Sequence, residues 1–193
     1  MSKRINTQYF NRNMNKGAVK QKGMTFIEVL VAFVIIVTGI LGAVAMQANA
    51  KKGSFDAMQR SLASSLAQDI VARMRANNPA NLATYAGTDY GGNNYAEPAN
   101  RCNLFGALCT PAQIVANDQH EWEQAIMGAD VTLAGDSAGG LLGGLGCVFV
   151  NANAITVVIN WQGKQAMTDA NKAAACGATS DKRRQVVVQA FII

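Results

Sequence analysis

Residues 22–50 read KGMTFIEVLVAFVIIVTGILGAVAMQANA, and their reading decides the rest. From Met24 to Ala50 the only charged residue is Glu28, and Val29–Met46 is a run of 18 residues without a charge. Roughly 20 apolar residues span a bilayer as helix, and no other stretch of this chain approaches that. Before the run, residues 1–23 carry Lys3, Arg4, Arg12, Lys16, Lys20 and Lys22 with no acid. The net charge of +5 and pI near 9.2 therefore belong to this segment, since the remainder sets eleven basic residues against all twelve acidic ones. That distribution removes the general case for a nucleic-acid partner. By the positive-inside rule the six leading cations outweigh Lys51 and Lys52, which keeps the amino terminus in the cytoplasm and puts everything beyond Lys51 outside.

A cleaved secretory signal would have a shorter apolar region, about 7–15 residues, ahead of small residues. Ala48-Asn49-Ala50 fits the cut, but the apolar run is too long and contains Glu28. A plain signal anchor explains length and flanks but not the carboxylate. A carboxylate within a membrane helix costs on the order of 2.5–3.5 kcal/mol at the centre and less near an end.

The junction Lys22-Gly23-Met24-Thr25-Phe26-Ile27-Glu28-Val29-Leu30-Val31-Ala32 closely resembles the class III signal sequence of type IV pilins and type II secretion pseudopilins. The resemblance implies that a prepilin peptidase cuts between Gly23 and Met24 and that Met24 becomes the N-methylated first residue. Glu28 is then the fifth residue of the mature chain. Met24 departs from the Phe usual in major pilins. Cleavage gives Met24 a positive α-amino group one helical turn before Glu28, and opposite charges attract strongly at low dielectric. Either the pair forms within one chain, aided by the helix dipole, or, as the family resemblance suggests, Glu28 meets the terminus of a neighbouring subunit.

The helical pattern continues past the membrane. Phe55, Met58, Leu62, Leu66, Ile70 and Met74 recur at spacings of three or four, an amphipathic stripe. It stops at Asn77-Asn78-Pro79, because the residue before a proline avoids the helical region. Thr25–Asn77 would make about 80 Å of helix at 1.5 Å per residue. The expected divisions are a leader, 1–23; a membrane and assembly half of the helix, 24–50; its amphipathic half, 51–77; and a head, 78–193. The fold expected is α+β and pilin-like, the helix packed on an antiparallel sheet.

Within the head, 77–100 reads as a loop. Thr110-Pro111-Ala112-Gln113 is a capping box with proline at the first helical position, opening a helix to about Met127 with Ile114, Trp122 and Ile126 inward. Gly128–Gly146 holds six glycines in its last twelve residues and precedes a strand, so it reads as a flexible loop rather than a phosphate-binding one. Cys147–Asn151, Ala154–Trp161 and Arg184–Ile193 are strand-like, the first two a hairpin about Asn151-Ala152-Asn153, and 171–182 is a polar connection.

Cys102, Cys109, Cys147 and Cys176 lie on the oxidising side of the membrane segment, at separations of 7, 38 and 29 without a CxxC. His120 alone cannot complete a zinc site, and neither metal nor cofactor is expected. Four cysteines allow three pairings, or free thiols. Cys102–Cys109 with Cys147–Cys176 is the reading adopted, since each closes a loop within a local unit. Glu121 and Glu123, two apart on a helix, read as solvated charges. His120 and Asp136-Ser137 lack any nucleophile motif, so no enzyme is expected. Lys182-Arg183-Arg184 is a local patch that could hold phosphate.

Beyond the junction, Arg73-Met74-Arg75-Ala76-Asn77, Cys109-Thr110-Pro111 leading to Asp118 and Trp122, and Val158-Ile159-Asn160-Trp161 are similar to the minor pilins of the PilV, or type IV pilus modification, group. The resemblance implies a non-enzymatic subunit that primes pilus assembly with other minor pilins and pilus subunits on an inner-membrane platform. It further implies support of a tip adhesin, twitching motility and surface attachment, from a single-pass inner-membrane position with a periplasmic head, and then from the pilus, at its tip. A type II secretion pseudopilin shares the junction and is one alternative. A signal-anchored binding protein such as a DNA-uptake receptor is the other.

Overall fold

The computed structural model describes residues 23–102, 106, 108–129, 131–167 and 176–193. Residues 1–22, residues 103–105 and 107 between Cys102 and Cys109, and 171–175 of the polar connection lie outside them. Helix α1 runs from Phe26 to Ala76, its last turn carrying Arg73 and Arg75 where a cation suits the helix dipole. The chain divides into two compact units between Ala45 and Met46.

In the first unit every described residue is exposed, with Phe33, Val34, Ile35, Ile36 and Leu41 each more than half so. An all-round apolar surface of this kind belongs in lipid or against other apolar helices. Thr38, the one hydroxyl within the uncharged run Val29–Met46, donates back to the carbonyls of Val34 (2.9 Å) and Ile35 (3.0 Å), so it needs no partner from outside.

In the second unit α1 buries Gln59, Ala63, Leu66, Ala67, Ile70, Val71 and Met74. The expected stripe is shifted at its start. Met58 is exposed, and Gln59 is buried because its carboxamide donates to the Gly140 carbonyl (3.4 Å) and accepts from the Leu142 N–H (2.9 Å). A 3-10 turn, Pro79–Tyr85, follows, with Asn78 accepting from the Ala80 N–H at 2.9 Å. Strand β1 is Gly87–Tyr90 and α2 is Pro111–Met127. Strands β2 (Thr132–Leu133) and β3 (Asp136–Ser137) make a minute hairpin. Strands β4 (Leu145–Asn151), β5 (Ala154–Gln162) and β6 (Arg183–Phe191) complete the set.

The main sheet has the order β1-β4-β5-β6, every pair antiparallel. Its two faces differ. Val148, Val157, Val188 and their face neighbours Ile155 and Ile159 join the α1 stripe, Tyr85, Tyr90, Trp122 and Ile126 in one core. On the opposite face Cys147, Val158 and Cys176 form a second small cluster with Leu145. The close approach of α2 to the sheet depends on Gly146: a Cβ there would lie 2.7 Å from the ring of the fully buried Trp122.

Two segments read as loops are more structured than their sequence suggests. The stretch 77–100 contains the 3-10 turn and β1, because Leu82, Tyr85 and Tyr90 are sparse but fully used apolar anchors. The glycine-rich stretch is tied down by the Leu141 N–H donating to the Ile126 carbonyl (2.9 Å) and by Gln59, and Leu141 enters the core.

Candidate functional site

At the start of α1, Glu28 sits in the first turn with its backbone N–H donating to the Thr25 carbonyl at 3.1 Å. Its side chain makes no ion pair among the described residues. A carboxylate thus opens a helix segment with no other charge for more than twenty residues, and the helix N-terminus favours it there. Gly23 has open space around its Cα, and Met24 is exposed beside it.

In the head, α2 organises two polar clusters. Thr110 caps it reciprocally with Gln113, Pro111 fills the first position, and Gly128 ends it in the left-handed conformation (φ 68°). Its first cluster faces the end of α1. Arg73 pairs with Asp69 (2.9 Å), Asp118 (3.1 Å) and Glu121 (2.8 Å), and Arg101 reaches Glu121 (3.3 Å) and Glu97 (2.7 Å). Tyr85 donates to Asp118 at 2.6 Å, and Asn77 donates to the Tyr85 hydroxyl and the Pro111 carbonyl. Burial alone would lower the Arg73 guanidinium; hydrogen bonds to Glu121 and Asp118 and the charge of Asp69 hold it above its ordinary value. Burial, then the bond to Asp118, pushes the Tyr85 phenol up.

The second cluster corrects the reading of Glu121 and Glu123 as solvated charges. Glu123 is completely buried. Its carboxylate accepts from the N–H groups of Gly91 (3.1 Å), Asn94 (3.0 Å) and Tyr95 (2.8 Å), fixing the turn after β1. Glu121 is paired with both arginines, as above. The turn leaves three backbone donors pointing inward, and a buried N–H needs an acceptor. No local spacing in the sequence reveals that α2 supplies it. Trp122 completes the docking by donating its indole N–H to the Leu66 carbonyl of α1 at 2.8 Å.

The structure joins Cys102 to Cys109 and Cys147 to Cys176. Asn117 braces the first bridge, accepting from the Cys102 N–H (3.0 Å) and donating to the Asn100 carbonyl (2.8 Å). Asn160 donates to the Cys176 carbonyl (2.6 Å), as does Arg183. The basic patch is therefore broken up: Arg183 is turned inward, its pKa lowered by burial, and Arg184 donates to the Gln165 carbonyl (2.7 Å). Phosphate would meet only part of it. His120 lies with Nδ1 2.8 Å from the Tyr95 carbonyl. Among the described residues no three His, Cys, Asp or Glu gather as a metal site.

An apolar helix with a single carboxylate at its start, running on into an amphipathic half that enters the core of an antiparallel-sheet head, defines a membrane-anchored pilin. Two family models match accordingly. The prokaryotic N-terminal methylation motif covers residues 19–44, and the Tt1218-like family, type IV pilin Tt1218, covers residues 45–120. The chain belongs to the type IV pilins and carries a class III signal peptide. No curated protein and no solved structure matches it. The family implies a structural protein, processing by prepilin peptidase and pilus assembly.

Proposed function

We propose that this pilin is a minor pilin of the PilV type, a subunit that primes type IV pilus assembly with other minor pilins on the inner-membrane platform. In this reading prepilin peptidase removes residues 1–23 and Met24 is N-methylated. Residues 24–50 are the membrane and assembly half of the helix, 51–77 its amphipathic half, and 78–193 a periplasmic head held by the two disulfides. The observation that carries the reading is the junction itself: Gly23 before the apolar helix, with Glu28 as its one carboxylate. Cutting ahead of the apolar segment leaves the anchor on the product, which suits a subunit drawn from the membrane into a fibre. The head then reaches the pilus, at its tip, where it supports an adhesin, twitching motility and surface attachment.

A deletion strain tests the role, with surface pili, twitching and secreted enzymes measured together. Loss of pili and twitching with secretion intact is expected. Loss of secretion with normal pili would assign the chain to a secretion pseudopilus. Mass spectrometry of the membrane-extracted protein tests the processing, and methylated Met24 is the expected first residue. A chain beginning at Lys51 would restore ordinary secretion.

A further inference from the structure

The two disulfides differ in access. Cys147 and Cys176 are sealed, 0% and 1% exposed, in the small core on the face of the sheet away from α1. Cys102 and Cys109 are only half-buried, and Leu108 beside them is fully exposed. Thiol–disulfide exchange requires a thiolate to reach a sulfur, and in the folded head only the first bridge offers one.

That bridge is also asymmetric. Asn117, buried on α2, brings its carboxamide Nδ2 to 3.0 Å from Cys102 Sγ, while its Oδ1 accepts from the Cys102 N–H at 3.0 Å. The same Nδ2 lies 2.8 Å from the Asn100 carbonyl and 2.9 Å from that of Gln113, so the amide is fixed in place. Among the described residues no donor reaches Cys109 Sγ. Cys109 immediately precedes Thr110, the cap of α2, which sets the bridge at the positive end of a 17-residue helix. Partial exposure, a helix N-terminus and a directed N–H donor are the surroundings that ease formation of a thiolate. Asn160 stands in a similar place beside Cys176, its Nδ2 3.6 Å from Sγ, but there both sulfurs are sealed.

We propose that Cys102–Cys109 is a thiol-exchange site, opened by a dithiol that attacks Cys109 and expels Cys102. The leaving sulfur departs faster the better its negative charge is held, and Asn117 serves Cys102 alone. In the first step one thiolate of the dithiol bonds to Cys109 Sγ. The bond between the two cysteines breaks, its electron pair stays on Cys102 Sγ, and that thiolate takes a proton from solvent. In the second step the other thiolate of the dithiol attacks its partner sulfur, and Cys109 leaves and is protonated in turn. The bridge has gained two electrons and two protons, and the dithiol has become a disulfide. Reversal of the two steps closes the bridge. Opening unties Cys102 from the start of α2 and leaves Cys147–Cys176 and the core that it seals untouched. The head thus carries one permanent bridge and one reversible one.

A monothiol stops at the first step and marks the sulfur attacked. The full chain in mild detergent is given a brief pulse of glutathione, quenched with acid, alkylated and mapped by peptide mass spectrometry. Glutathione is expected on Cys109 and the alkylating group on Cys102, over the reverse placement by about tenfold, with Cys147–Cys176 intact. Asn117→Asp keeps the shape of the side chain but puts a carboxyl oxygen where the amide donated, and should slow the exchange by about tenfold. Protection of Cys147–Cys176 in the same sample reports that the head is folded. A second pair of variants reads the same contact without exchange. The Cys102 thiol left in Cys109→Ser should be alkylated with a midpoint at lower pH than the Cys109 thiol left in Cys102→Ser, and below the value of about 8.5 usual for cysteine. Glutathione on Cys102, equal yields at the two sulfurs, or reduction of both bridges together would overturn the proposal. So would a Cys102 midpoint at or above that of Cys109.

Discussion

Ala152 sits at the first loop position of the β4–β5 hairpin with φ of 52°, in the left-handed region. A Cβ there costs roughly 1–2 kcal/mol, while glycine adds about 0.5–1 kcal/mol of unfolded-state entropy. The difference favours glycine. Ala152→Gly should stabilise the head by about 0.5–1 kcal/mol, read as a higher urea midpoint of the detergent-solubilised chain. Glu123 is the opposite case, a residue already in its best place. Glu123→Gln keeps the shape but puts an amide NH2 where a carboxylate accepted from backbone N–H groups. A loss on the order of 2–3 kcal/mol is expected, with faster hydrogen exchange confined at first to the amides of Gly91, Asn94 and Tyr95. An unchanged urea midpoint would mean that water serves that turn equally well. Nothing in the sequence distinguishes Glu123 from Glu121; the difference lies in a turn some thirty residues earlier.

Among the elements, α2 was legible from one tetrapeptide, because Thr110, Pro111 and Gln113 each satisfy a distinct requirement of a helix start. The β4–β5–β6 meander was legible from alternation, although which face would be covered was not. That depended on the bridge from Cys147 to Cys176, which builds a small core on the face away from α1. Replacing both cysteines by serine should destabilise the head by about 3–4 kcal/mol, more than the same change at Cys102 and Cys109, whose loop is shorter. Thermal unfolding of the two variants compares them. The 3-10 turn and β1 leave no periodic signal in the sequence, because their apolar residues, Leu82, Tyr85 and Tyr90, follow no period. Those tyrosines carry a pH signature. Burial, with the bond to Asp118, raises Tyr85; burial, with Tyr95 beside it, raises Tyr90; and burial raises Tyr95. Unfolded phenols ionise near 10, so this stability is complete below about that pH and is lost as pH rises from there toward the folded values. Alkaline titration should show a cooperative loss of structure coincident with tyrosinate absorbance. Simple ionisation of phenols in an intact head would contradict it.

For the whole molecule the deciding residue is Glu28, legible at once because a charge in an apolar run demands a reason. If it serves assembly, Glu28→Val or Glu28→Leu should insert at least as well as the unmodified chain, since removing a buried carboxylate eases placement in lipid. Cleavage after Gly23 should also persist. Incorporation into the priming complex should nevertheless fall, because the new amino group of a neighbouring subunit would meet no counter-charge at low dielectric. Breaking one side of such a pair costs about 3–5 kcal/mol when fully buried, enough to reduce assembly by more than a hundredfold. Partial exposure to headgroups would shrink that figure without changing its sign. Co-purification with the other minor pilins from membranes, alongside a count of surface pili, reads the loss directly. Normal complex yield with the apolar variants would confine Glu28 to capping its own helix, and failure of cleavage would place its role earlier, in recognition by the peptidase. Glu28→Asp separates charge from reach: it keeps the carboxylate one methylene shorter, and rescue by it would show that the charge itself carries the effect.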